Sequence, residues 1–140
     1  MTRGSRRRGY KLEPDGLPAR VGLAVLMSAG IAYAALGPVI VTGLVLSEVF
    51  SNETAGYVLS ANMYGTAVGG LLVALIVRRL NWRVTAAILL LALVGVDCVS
   101  AWIGVGEALY PIRFLHGLAG GALMGAATSV VARTDNPERT

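Results

Sequence analysis

Four long apolar runs constrain this sequence more than any other feature. They cover residues 21–46, 56–77, 84–104 and 110–132, and short polar connections separate them. A helix needs about 20 predominantly apolar residues to cross a hydrocarbon core about 30 Å thick. Backbone N–H and C=O groups must also be paired internally in lipid, so each run is predicted to be an α-helix. The sequence therefore predicts an all-α integral membrane protein with four transmembrane helices.

Composition supports this class and argues against several others. Hydrophobic residues make up 55% of the 140 residues and charged residues only 14%, whereas soluble domains average about 25% charged residues. The single cysteine, Cys98, has neither a disulfide partner nor metal-ligand companions at a useful spacing. No nucleophile–base set, metal cluster or phosphate-binding loop is recognisable. We therefore predict no enzyme activity, no cofactor and no metal.

The basic residues are distributed as expected for loops that set membrane topology. Of 12 Lys and Arg residues, six lie in residues 1–20, three in residues 78–83 and two after residue 132. The two other connections are acidic, with Glu48 and Glu53 in one and Glu107 in the other. Under the positive-inside rule both termini are cytoplasmic, which predicts a multi-pass protein of the plasma (inner) membrane whose partner is the lipid bilayer, with no nucleic acid. The predicted organisation is a basic cytoplasmic tail (1–20), a transmembrane region (21–132) and a cytoplasmic segment (133–140).

Small residues recur every four positions in the second and fourth runs. Such stripes permit close backbone approach, which drives helix association in a bilayer where side-chain hydrophobicity contributes little. A proline in the first run removes a backbone donor and is expected to kink that helix. The predicted helix-packing residues are Gly65, Gly69, Gly117, Gly121, Gly125 and Pro38.

Three ionisable residues lie inside the apolar runs. Arg113 is about one turn inside the fourth run, His116 follows it three residues later on the same face, and Asp97 is in the third run. A charge at the bilayer centre costs at least about 2.5–3.5 kcal/mol, so such residues usually face a partner or a water-filled cavity. Arg113 either snorkels to the headgroups or has a functional role facing a cavity, which we favour, and a pair with Asp97 is a further hypothesis within reach of its long side chain. The predicted interhelical hydrogen-bonding groups are Tyr33, Asn62 and Tyr64.

At residues 109–121, "LYPIRFLHGLAGG", the fourth run resembles the fourth-helix signature of the major facilitator superfamily. Arg113 and Gly117 match it directly, and His116 stands where the family more often has glutamine. The loop "RRLNWR" resembles the family's loop between helices two and three, and it keeps Arg79 and Arg83. It departs from the pattern at Arg78, which replaces the usual acid.

This resemblance implies an N-terminal part of a secondary transporter that moves a small solute by alternating access. It implies that Arg113, His116 and Asp97 bind substrate or assist proton coupling. It also implies a cytoplasmic gating loop, formed by Arg78, Arg79 and Arg83. Such carriers have about twelve helices in two halves, so the chain is expected to be incomplete alone. The implied partners are the remaining transporter helices and a solute, with or without a coupling proton.

Two other functions fit the same apolar runs. A small dimeric multidrug-type carrier would want a membrane-embedded glutamate in its first helix, and residues 21–46 contain no acid. A non-transporting membrane scaffold or assembly subunit needs only the glycine stripes, with Arg113 and Asp97 as a structural pair. This second alternative stays open at the level of sequence.

Overall fold

A computed structural model describes residues 17–76, 81–104 and 106–132, and these residues form α-helices without a strand. The prediction of an all-α architecture is confirmed. The predictions for residues 1–16, for Arg78 and Arg79, and for residues 133–140 concern residues outside the described ranges. The described helices are α1 (Leu17–Ala35), α2 (Gly37–Leu46), α3 (Asn52–Ile76), α4 (Trp82–Ile103) and α5 (Leu109–Val131).

Three of the described helices, α3, α4 and α5, are each long and apolar enough to cross a membrane. Large apolar side chains are exposed on the outer faces of the helices, including Leu75, Leu91 and Trp102. An exposed apolar surface of this extent suits lipid rather than water. The chain is therefore a multi-pass membrane protein.

The first apolar run is not one straight helix. It divides at Leu36 into α1 and α2, which are bent by 41° relative to each other, and the pair supplies one further crossing if it acts as a single broken span. Pro38 lies in the first turn of α2 and has no N–H to donate to the preceding turn. Because of the bend, α1 packs on α5 whereas α2 packs on α3.

Local signals account for several helix ends. The Ser51 hydroxyl accepts a hydrogen bond from the backbone N–H of Thr54 at 3.2 Å, which caps the start of α3. Gly104 ends α4 with φ of 76°, a conformation that residues with a Cβ rarely adopt. Pro111 falls in the first turn of α5, where an N–H has no intrahelical partner.

Helix α5 is the centre of the bundle, because α1, α3 and α4 all pack on it. Its contact with α3 is a backbone contact. A Cβ added at Gly117 or Gly121 would overlap a carbonyl oxygen of α3, and a Cβ added at Gly65 or Gly69 would overlap one of α5. Gly125 is less tightly placed, with its nearest α3 atoms at 3.4–3.6 Å from an added Cβ. The two glycine stripes thus face each other.

The contact between α1 and α5 has its own glycine pair. A Cβ on Gly30 would lie 2.7 Å from the Gly120 carbonyl oxygen, and a Cβ on Gly120 would lie 2.6 Å from the Gly30 carbonyl oxygen. Neither residue belongs to the stripes that the sequence predicted. Helix α4 packs differently, through side chains such as Leu93 against the fully buried Leu123.

Candidate functional site

Six polar side chains from four helices meet between α1, α3, α4 and α5. We call this group the polar cluster. It lies beside the bend between α1 and α2, and its members are about half a turn to three turns from the helix ends nearest to them. Its members are Tyr33 from α1, Asn62 from α3, Asp97 and Ser100 from α4, and Arg113 and His116 from α5.

Arg113 bridges two residues of α4. Its Nη1 donates to Asp97 Oδ1 at 3.0 Å, and its Nη2 donates to Ser100 Oγ at 2.5 Å. The acceptors are three residues apart and so lie on one face of α4. The structure therefore brings together the Arg113 and Asp97 side chains whose pairing the sequence left open. Ser100 was not predicted, although its spacing from Asp97 was the signal that it shares the same face.

Tyr33 covers the guanidinium plane of Arg113. The Arg113 Cζ atom lies 4.5 Å from the centroid of the Tyr33 ring, within the range in which a cation is attracted to an aromatic face. The Tyr33 and His116 rings are also in contact, with centroids 5.3 Å apart and tilted by 52°. Tyr33 therefore connects α1 to both ionisable residues of α5.

Asn62 fixes the hydrogen-bonding state of His116. The Asn62 amide nitrogen lies 3.1 Å from His116 Nδ1 and also donates to the Arg113 backbone oxygen at 3.2 Å. An amide NH2 group only donates, so Nδ1 accepts and a neutral His116 carries its proton on Nε2. That nitrogen lies 3.4 Å from Asp97 Oδ2. Asn62 on α3 and Asp97 on α4 are thus connected through the imidazole of α5.

The charged groups of the polar cluster differ greatly in exposure. The Arg113 side chain is 15% exposed and that of His116 is 7% exposed, whereas the Asp97 side chain is 54% exposed. Asp97, His116 and Tyr33 line one part of a 290 Å³ cavity between α1, α4 and α5. The other lining residues are aliphatic: Ala29, Ala32, Leu36, Leu90, Leu93 and Val94. Asp97 is therefore the accessible carboxylate at a cavity whose remaining lining is Tyr33, His116 and aliphatic side chains.

The close backbone contact at Gly117 fixes the positions of Asn62 and His116 within the polar cluster. A Cβ at Gly117 would overlap the carbonyl oxygen of Asn62, so one of the close backbone approaches of α3 and α5 lies where Asn62 meets His116. Asn62 is fully buried as a result. A buried amide needs partners, because an unpaired polar group in a low-dielectric interior is costly. His116 and the Arg113 carbonyl are those partners.

Two further predicted residues lie away from the polar cluster. Arg83 is at the start of α4, where its Cζ lies 5.3 Å from the centroid of the Trp82 ring. Tyr64 is 71% exposed. It lies two residues, or about 200°, around α3 from Asn62, so it does not lie at an interface between the described helices.

Comparisons with protein-family models, with curated proteins and with solved structures gave no match to this chain. Within residues 17–76, 81–104 and 106–132, no three His, Cys, Asp or Glu side chains are grouped so that they could hold a metal ion. What the polar cluster offers chemically is one accessible carboxylate, with the Arg113 guanidinium at its Oδ1 and the His116 imidazole near its Oδ2.

Proposed function

We propose that this chain is the N-terminal part of a secondary transporter of the major facilitator type, which moves a small solute across the membrane by alternating access. The remaining transporter helices are its proposed partners, and the polar cluster is its proposed solute or coupling site. The observation that carries the proposal is the half-exposed Asp97 carboxylate at a cavity within apolar helices. Ionisable groups placed in this way usually mark solute or ion pathways.

The form of α1 and α2 supports the same function. Substrate sites of secondary transporters are typically formed at interrupted helices near the middle of the membrane. Here the break at Leu36 lies next to the cavity, since both Tyr33 and Leu36 line it. The motif at residues 109–121 adds support, because its Arg113 is the residue that contacts Asp97.

A scaffold with the same ion pair is the main competing function, and water access to the cavity separates the two. A transporter cavity must open to water, whereas a structural ion pair would be sealed by lipid or protein. The test is labelling of an introduced cysteine by a membrane-impermeant, positively charged methanethiosulfonate reagent. The background variant is Cys98→Ala, because Cys98 is itself exposed.

Val94→Cys is the test variant, since Val94 lines the cavity and is exposed. Ala92→Cys is the matched control, because Ala92 is also exposed but lies about 160° around α4 from Val94 and only about 3 Å along it. A thiol in lipid does not form the reactive thiolate. We expect labelling of Val94→Cys and none of Ala92→Cys. A protected Val94→Cys in intact cells and in inside-out vesicles would favour the scaffold.

A further inference from the structure

The cavity beside the polar cluster has a defined chemical character that narrows the class of ligand it accepts. This inference rests on the proposed function, since it concerns what the same cavity binds. The cavity volume of 290 Å³ is close to the lower end of ligand sites, which run from about 300 to 1,000 Å³. A ligand of that size is a small molecule with a single ring or a short chain.

The net charge of the Asp97–Arg113 pair does not decide the ligand class, because the two charges cancel. The exposure of each side chain to the cavity does decide it. Arg113, however, is only 15% exposed, has both terminal nitrogens bonded to α4 and is covered by Tyr33. Arg113 also does not line the cavity. An anion would reach it only after displacing Asp97 or Tyr33.

Asp97 is available where Arg113 is not. Its carboxylate has about four acceptor positions, of which Arg113 takes one at Oδ1, and His116 Nε2 stands 3.4 Å from Oδ2. The side chain is 54% exposed and lines the cavity. A donor or cation in the cavity therefore meets a free side of the carboxylate. The aliphatic walls next to it favour an apolar group attached to that cation.

We propose that this cavity binds small organic cations that carry an apolar body, with the Asp97 carboxylate contacting the cationic centre. The apolar body occupies the aliphatic part of the cavity, lined by Leu90, Leu93 and Val94 from α4 and by Ala29, Ala32 and Leu36 from the α1–α2 segment. Arg113 holds the carboxylate in position from the opposite side.

Two probes of nearly equal shape and opposite charge test the proposal. Benzyltrimethylammonium and benzylsulfonate share the same ring and methylene group, and both are permanently charged. Binding to the full chain in lipid nanodiscs is measured by isothermal titration calorimetry. We expect benzyltrimethylammonium to bind about tenfold or more tightly than benzylsulfonate, because the carboxylate attracts the cation and repels the anion by an amount that corresponds to at least about that ratio near a protein surface.

Two variants distinguish the role of Asp97 from that of the cavity. Asp97→Asn removes the accessible negative charge and leaves the Arg113 charge uncompensated, so we expect cation affinity to fall about tenfold and the preference to move towards benzylsulfonate. Val94→Trp fills the cavity but leaves the ion pair intact, so it should weaken both probes. Val99→Trp is the control on the exposed far side of α4 and should bind as the parent chain does.

Each other outcome overturns the proposal. Tighter binding of benzylsulfonate, or equal binding of both probes, would show that Asp97 does not select the ligand. Parent-like cation binding by Val94→Trp would place the probe elsewhere. If neither probe binds but Val94→Cys is labelled, the ligand class is wrong and the transporter proposal stands. If neither probe binds and Val94→Cys is protected, both proposals fail.

Discussion

Replacing Gly121 by alanine should destabilise the bundle because a methyl group has no room between α3 and α5. The added Cβ would overlap the Thr66 carbonyl oxygen and would lie 2.7 Å and 2.8 Å from the Thr66 C and Cα atoms. All three are backbone atoms, which cannot turn away as a side chain can. Ordinary van der Waals contact begins at 3.4 Å, so the helices must separate by more than half an ångström.

Separating α3 from α5 weakens the van der Waals attraction between them and so lowers the free energy of unfolding. A gap of about 0.5–1 Å loses roughly a quarter to a half of the dispersion attraction of each contact, and overpacking a well-packed interior typically costs about 1–3 kcal/mol. The contact lies at the middle of the α3–α5 interface, with Gly69 and Gly117 as tightly placed on either side. We therefore expect Gly121→Ala to lower the free energy of unfolding by about 2–3 kcal/mol.

Two other glycines supply graded controls for the same substitution. Gly95 on α4 has nothing within 4 Å of an added Cβ, so Gly95→Ala should leave stability unchanged or raise it by up to about 1 kcal/mol through helix propensity. A Cβ added at Gly125 has its nearest atoms at 3.4–3.6 Å. Gly125→Ala should therefore lower the free energy of unfolding by less than about 1 kcal/mol. The assay is reversible unfolding in mixed micelles with increasing sodium dodecyl sulfate, followed by far-ultraviolet circular dichroism. Equal stability of Gly121→Ala and Gly95→Ala would refute the close-packing argument.

Three further predictions concern the polar cluster and the topology. If the proposed transport function is right, Arg113→Lys at matched expression should impair solute uptake, because an ammonium lacks the planar fork that bonds two acceptors at once; a parental uptake rate would count against a role in transport. Asn62→Leu should lower the free energy of unfolding by about 1–3 kcal/mol, because it leaves His116 Nδ1 without its donor; unchanged stability in the same micelle assay would contradict this. Reporter fusions should behave as cytoplasmic after Thr140 and as external at Asn52, and a cytoplasmic result at Asn52 would reverse the orientation.

The sequence predicted the features of this site that depend on spacing within one helix. Arg113 and His116 are three residues apart and lie on one face, as helix geometry requires. The distance of Asp97 from the end of its own run placed it within about one turn of Arg113, which a long arginine side chain can span. The same geometry places Tyr64 on nearly the opposite face of α3 from Asn62, so within the described helices it contacts no neighbouring helix, and its predicted interhelical hydrogen bond stays a prediction.

Features that depend on where helices cross were not predictable in this way. Gly30 and Gly120 form the contact between α1 and α5, but they belong to no four-residue stripe, and only the crossing point of the two helices selects them. The first run was predicted as a single kinked span at Pro38. In the structure the first helix ends at Ala35 and a second begins at Gly37. Pro38 has no N–H to donate to the carbonyl of Ala34, so the backbone hydrogen bond that would continue the helix is missing.

The polar cluster joins two interfaces that differ in how freely they can move. On α3 and α5 the backbones are in direct contact at Gly117, so the position of Asn62 against His116 is fixed by atoms that cannot yield. On α4 the contact with α5 consists of side chains, such as Leu93 against Leu123. A displacement of α4 therefore disturbs fewer close contacts than one of α3. Since Asp97 is carried by α4, a displacement of α4 would change the ion pair with Arg113 without separating the α3 and α5 backbones.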